Sequence, residues 1–249
     1  MSVAPLATRP LPALRGRIGL DARSGHYAVP RRYRLYLSTA CPDGLRLAVT
    51  HALLGLDAVC PVTWLPEVPD LPDGGHSRLL PLYEASAHHH PGPAAAPVLA
   101  DDWSGRVVST HVQDIMRDLA RCFGEGRPAL YPCGTEEEIE AVRRLCARAE
   151  RAARRAGTPC SPERAAAAEE LLGALDELER RIGPDGHLVD RHVTAADVEL
   201  WVTLTQIDTV HLRHLDADVA HRVAGHRRLW AHAAGLTAHP AFGERLGHG

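Results

Sequence analysis

The chain has 249 residues, 45% hydrophobic and 24% charged, with a formal net charge of −3. That is the profile of an ordinary globular protein able to bury one large core or two modest ones. The small negative charge gives no electrostatic drive toward nucleic acid or an anionic membrane, and no apolar run approaches membrane-spanning length.

Residues 1–30, rich in Pro, Gly and Arg without periodicity, read as an extended arm. A strand follows over residues 33–37, then a turn carrying Cys41-Pro42 and an amphipathic helix. Leu45, Ala48, Val49, Ala52 and Leu53 share one face of that helix, and Gly55 ends it. This order sets the Cys41 thiol at a helix N-terminus, where unpaired N–H groups and the helix dipole favour an anion. Pro42 suits the first helical turn. A buried, inert thiol is the competing reading.

Residues 58–65 read as a second strand, and the proline-rich stretch 66–93, with His88-His89-His90, as a long loop. A short strand at 96–99, a turn at 101–105 and a partner at 107–108 form a hairpin. Thr110 with Gln113 makes a capping box for a helix that buries Val112, Ile115, Met116 and Leu119. Residues 123–132 form a Gly- and Pro-rich linker, after which only helices are expected. Thr135 and Glu138 cap one, with Ile139, Val142, Leu145 and Cys146 inward. Ser161-Pro162 starts another, with a stripe from Ala168 to Ile182. Thr194 and Asp197 cap a third that is apolar nearly all round and therefore central. A further helix is expected around residues 220–234. The fold class is thus α/β followed by all-α: a thioredoxin-like domain over residues 31–122 and a helical domain over 133–249.

Six cysteines (41, 60, 122, 133, 146 and 160) show no CxxC or disulfide-framework spacing, and the N-terminal sequence lacks an uninterrupted apolar segment. A reduced, cytoplasmic chain is expected. All 28 basic residues are Arg, so lysine chemistry is ruled out. The His triplet with His76 has no Cys or carboxylate at ligand spacing, so a solvated loop is expected in place of a metal site.

RYRLYLSTACP, the proline-rich insert, APVLADDWSGRVVS, ALDELERRI and HVTAADVELWVTLTQIDTVH resemble the glutathione transferase superfamily, most of all its glutathionyl-hydroquinone reductase, or xi-class, group. The resemblance spans about residues 31–245. It implies an enzyme in which Cys41 takes up a glutathionyl group as a mixed disulfide that a second thiol releases. It also implies a cis Pro97 beside Val98 to hold the thiol; an ordinary trans proline is the alternative. A homodimer acting on a small-molecule substrate follows by analogy.

The departures cluster in the site. Where the family reads Cys-Pro-Trp-Ala-His-Arg, this chain has Cys41-Pro42-Asp43-Gly44-Leu45-Arg46; its Asn-Glu-Ser is here Thr110-His111-Val112. The acid that would meet the glutathione ammonium is gone. Two substrate-side tyrosines appear as Arg154 and His211, with Asp208 close by. The expected thiol-binding set is Pro42, Arg46, Pro97, Val98, Thr110 and His111, and the expected co-substrate is a low-molecular-weight thiol, glutathione or another. Two other readings remain: a tailoring enzyme using His111 or His211 in acid/base chemistry, and a non-catalytic binding protein.

Overall fold

The computed structural model describes residues 14–38, 40–88, 90–124, 128–159 and 162–243. A four-stranded sheet has the order β2-β1-β3-β4, built from β1 (Tyr33–Leu37), β2 (Val62–Trp64), β3 (Val98–Asp101) and β4 (Arg106–Ser109). β1 and β2 are parallel, joined by α1 (Pro42–Leu53), whereas β3 and β4 form an antiparallel hairpin beside β1. β4 leads into α3 (Val112–Phe123), which packs with α1. This is the thioredoxin-like arrangement. The second strand is shorter than the 58–65 expected, because residues 57–60 form turns before the chain turns extended.

The proline-rich insert is not a structureless loop. It holds a 3-10 turn (Ser77–Leu79) and the short helix α2 (Leu80–Ser86). Tyr83 is buried and donates its hydroxyl to Ala95 O at 2.7 Å, while Ser86 Oγ accepts the Val107 N–H at 2.7 Å. Leu79 and Tyr83 join Leu65, Val98, Ala100 and Val107 in a satellite core. Seven residues with a proline in the first turn are too few to show a helical period, so tertiary anchoring forms this helix. His88 pairs with Glu84 and His90 stacks on Tyr83; His89 lies outside the described residues.

The arm does more than extend. Gly16 N–H donates to Val108 O at 2.7 Å, and Arg15 bridges antiparallel to Ser109, so the arm lines the free edge of β4. A Cβ on Gly16 would lie 2.6 Å from Val108 O, so this approach requires glycine. Ile18 is fully buried, and its N–H donates to Asp118 at 2.7 Å.

The rest is helical: α4 (Glu136–Ala156), α5 (Arg164–Arg181), α6 (Ala195–Gln206), α7 (Ala217–Ala224), α8 (Arg227–Thr237) and α9 (Pro240–Gly243). The helix expected over 220–234 is two helices broken at Gly225. Ile139, Val142 and Cys146 of α4 are buried as expected, and alanines 149, 152, 153 and 156 continue that face, letting α5 and α6 approach closely, while Leu145 is only half-buried. Thr135 stands at the N-cap of α4 but makes no side-chain capping bond; its hydroxyl donates to Pro132 O instead. Ser161 lies outside the described residues. Every residue of α6 from Ala195 to Leu204 is buried, as its composition implies. Among the described residues no helix is long and apolar enough to cross a membrane.

The α6 capping box is formed. Asp197, fully buried, accepts from Thr194 N at 2.8 Å, Thr194 Oγ1 at 3.0 Å and Leu188 N at 3.3 Å. His232 lies 3.4 Å from the same carboxylate, and its Nδ1 contacts Gly186 O at 2.6 Å. Burial lowers the His232 pKa although Asp197 opposes this. The unfolded chain therefore binds the extra proton first, and the stability held above the unfolded value near 6.5 is lost as pH falls through the folded value. The melting temperature is expected to drop on acidification below about pH 6.5, and His232→Gln should flatten part of that drop in a thermal scan across pH. An unchanged slope would contradict a buried neutral imidazole.

Candidate active site

The sheet register gathers the candidate residues at one edge. Tyr36 pairs with Val98 and Leu99 with Ser109, so the end of β1, the start of β3 and the end of β4 lie side by side. Cys41 follows β1, Pro97 precedes β3 and Thr110-His111 follow β4. The Ala96–Pro97 peptide bond is cis, and Val98 is buried behind it.

Cys41 is the N-cap of α1, with extended backbone (φ −97°, ψ 127°) and Pro42 as the first helical residue. Its carbonyl accepts the Leu45 N–H at 3.0 Å, and its half-buried thiol makes no capping bond. That thiol is left beside the unpaired N–H groups of the first turn. A Cβ on Gly44 would overlap the Ser38 carbonyl, so glycine lets α1 begin this close to the end of β1. The other thiols differ. Burial pushes Cys60 up to about 12 and raises Cys146 and Cys122 as well. Cys133 is exposed, and Cys160 lies outside the described residues.

Arg46 does not face the thiol site. Its side chain, 6% exposed, runs into the junction between the sheet and the helices. Nε donates to Glu199 Oε2 at 2.6 Å, Nη1 to Asp43 Oδ1 at 3.1 Å, and Nη2 to Glu150 Oε1. Burial opposes the charge, but Glu199, Glu150 and Asp43 outweigh it and hold the guanidinium above its ordinary pKa. Thr203 Oγ1 donates to Glu150 at 2.7 Å, and Gln113 Nε2 to Glu199 Oε1 at 2.5 Å. One buried arginine thus ties the start of α1 to α4 and α6, and Glu199 passes the tie to the first turn of α3.

Thr110 is also occupied: its N–H donates to Leu14 O at 2.9 Å. It does not cap α3. That role falls to His111, whose Nδ1 accepts the Asp114 N–H at 3.3 Å and lies 3.1 Å from Asp114 Oδ2.

On the helical side, His211 sits in a π-helical turn (Ile207–His211) after α6. Burial lowers its pKa, and Arg154 lowers it further while Glu150 raises it. The ring is therefore neutral at pH 7 and within the field of both α4 side chains. Arg154 and Asp208 are exposed. Asp208, His211 and His214 do not share an α-helical face, because the chain passes from the π turn to a 3-10 turn (Leu212–His214).

Sequence reasoning passed over Glu199 and Arg15, and read Gln113 as a capping partner of Thr110 where it instead donates to Glu199. Glu199 carried a signal: beyond the capping Asp197 it is the one carboxylate in a helix apolar nearly all round, and it must find a buried partner. Arg15, in an aperiodic arm, carried none.

Residues 161–235 match the family described as glutathione S-transferase, C-terminal domain. The chain is 29% identical over 245 residues to the glutathionyl-hydroquinone reductase PcpF of Sphingobium chlorophenolicum, covering 90% of this chain and 76% of that one. It is 25% identical to the glutathionyl-hydroquinone reductase YqjG of Escherichia coli, covering 93% and 76%. A crystal structure of a glutathione transferase from Gordonia bronchialis superposes with a TM-score of 0.78 at 28% identity, covering 93% and 78%. The chain is a glutathione transferase-like enzyme, similar to the glutathionyl-hydroquinone reductases.

Arg46→Met strands the buried Glu199 and the largely buried Glu150, and should destabilise the fold by about 3–5 kcal/mol in denaturant unfolding. Adding Glu199→Leu should recover part of that loss, because the partner charge leaves with it. A loss below about 1 kcal/mol for the single variant would contradict the tie.

Proposed function

We propose that the protein removes or transfers a thiol group through Cys41, acting on a thiol adduct of a quinone-like aromatic or a comparable electrophile. The observation that carries this reading is the free thiol of Cys41 at the N-cap of α1, beside the cis Pro97 and Val98. In the first step the Cys41 thiolate attacks the sulfur of an aryl thioether. A Cys41–S–S–R bond forms, the aryl–sulfur bond breaks, and the ring carbon that receives the electron pair takes a proton. A second thiol then attacks the mixed disulfide, releasing RS–SR′ and restoring Cys41. His211, neutral and in the field of Glu150, suits proton transfer on the substrate side.

The thiol need not be glutathione. The relatives named above support glutathione as partner, yet the position that would hold an acid for the glutathione ammonium is His111 here. A second reading, acid/base chemistry without a thiol, draws on the neutral His211 alone. A homodimer belongs to the same analogy.

Chromatographic assay with a thiol-substituted hydroquinone and a free thiol is expected to show release of the parent hydroquinone. Cys41→Ser should lower kcat/KM by about 10³-fold or more, as loss of a covalent nucleophile does. Turnover that survives in Cys41→Ser and falls in His211→Gln would favour the second reading. Immobilised glutathione is expected not to retain the protein; retention would contradict the loss of the γ-glutamyl subsite.

A further inference from the structure

We propose that Arg15 of the arm and His111 of α3 form a specificity pair that selects a thiol whose end facing α3 is a hydrogen-bond acceptor, an acyl carbonyl or a carboxylate, in place of a free ammonium. This rests on the thiol-transfer reading above and narrows its co-substrate. The register places His111 at the same sheet edge as Cys41 and Pro97. Gln113, in the first turn of α3, shares Glu199 with Arg46 of α1, which ties the two helix starts together.

Asp114 is the carboxylate in the first turn of α3, and it is spent. Its side chain is 4% exposed and meets three basic groups: Arg15 Nε on Oδ2, His111 Nδ1 at 3.1 Å from Oδ2, and Arg17 Nη1 at 3.3 Å from Oδ1. Burial would raise its pKa, but these neighbours hold it below the usual carboxylate range, so it stays an ionised, inward-facing partner. What remains open to solvent is donors. The Arg15 side chain is 54% exposed and the His111 side chain 41%. Only Nε of Arg15 is committed among the described residues, which leaves both Nη groups available as a fork. Nδ1 of His111 is taken up by Asp114, so Nε2 is the ring nitrogen left to a ligand and can present its N–H. An ammonium placed here would meet a guanidinium and an imidazole with no free carboxylate; an acceptor would find two donors. The arm fixes Arg15 in place, because Gly16 pairs with Val108, and Arg17 holds Asp118 through a bidentate bond at 2.6–3.1 Å.

The test uses three symmetrical disulfides differing only at the α-amino group: glutathione disulfide, N-acetylglutathione disulfide and the disulfide of glutaryl-cysteinylglycine. Each can thiolate Cys41 by exchange, in which the Cys41 thiolate forms a mixed disulfide and expels one thiolate; intact mass gives the second-order rate. The two ammonium-free disulfides should react about tenfold or more faster than glutathione disulfide, the scale of one charge-assisted hydrogen bond. An advantage of the acetyl form over the deaminated form would mark the acyl carbonyl as the recognised group; equal rates would mark the carboxylate. Arg15→Gln should shrink the preference for both, and His111→Glu should reverse it. A merely structural role would change all three rates together. Folding of each variant is checked by its melting temperature, and Arg15→Gln, at an exposed side chain, keeps the test open if His111→Glu is unstable. Glutathione disulfide reacting as fast as the others in the unaltered protein would overturn the specificity pair while leaving thiol transfer intact. Failure of all three to thiolate Cys41 would overturn both.

Discussion

The buried guanidinium of Arg46 is the constraint on which the placement of the site depends. It leaves the first turn of the helix that starts at Cys41, and beside Asp43 of its own helix it is held by carboxylates on two helices of the other half of the chain, Glu150 and Glu199. A charge this deep tolerates no loose geometry, since any slip of the helical half would strand it at a cost of several kcal/mol. The ion pairs need not add net stability over an apolar replacement to do this; they fix which arrangement is allowed. Through Glu199 and Gln113 the same constraint reaches α3, so the starts of α1 and α3 are set against each other by one residue of α6.

Asp114 organises the opposite end of the thiol site in a different way. There the carboxylate is buried and the basic groups lie outside it, so the polarity offered to a ligand is that of donors. The arm that brings Arg15 also closes the edge of β4, which joins two tasks in one segment: protecting the sheet edge and shaping the site.

Much of the fold was legible in the sequence because its elements carry strong local patterns. α1 and α3 show clean apolar faces, α6 announces its burial by composition, and its Thr194–Asp197 box formed as read. What escaped was set by tertiary contact. α2 is too short for a period and exists because Tyr83 and Ser86 are held by neighbours. Arg46 was assigned to the thiol because it lies one turn from Cys41, while its partners, Glu150 and Glu199, lie more than a hundred residues away. His111 took the cap expected of Thr110, whose N–H the arm had already engaged. Arg15 was invisible for the same reason: nothing in an aperiodic arm says which edge it will pair with.

The most direct measurement is the alkylation rate of each cysteine in the folded protein at neutral pH, read by peptide mass spectrometry. Cys41 is expected to react first and well ahead of the buried Cys60 and Cys146, with Cys133 as the exposed reference. Saturation with a disulfide that forms the mixed adduct should protect Cys41 alone. If Cys41 reacts no faster than Cys133, or stays unmodified while Cys133 is consumed, sulfur chemistry at the start of α1 is contradicted and the reacting group must be sought around His211.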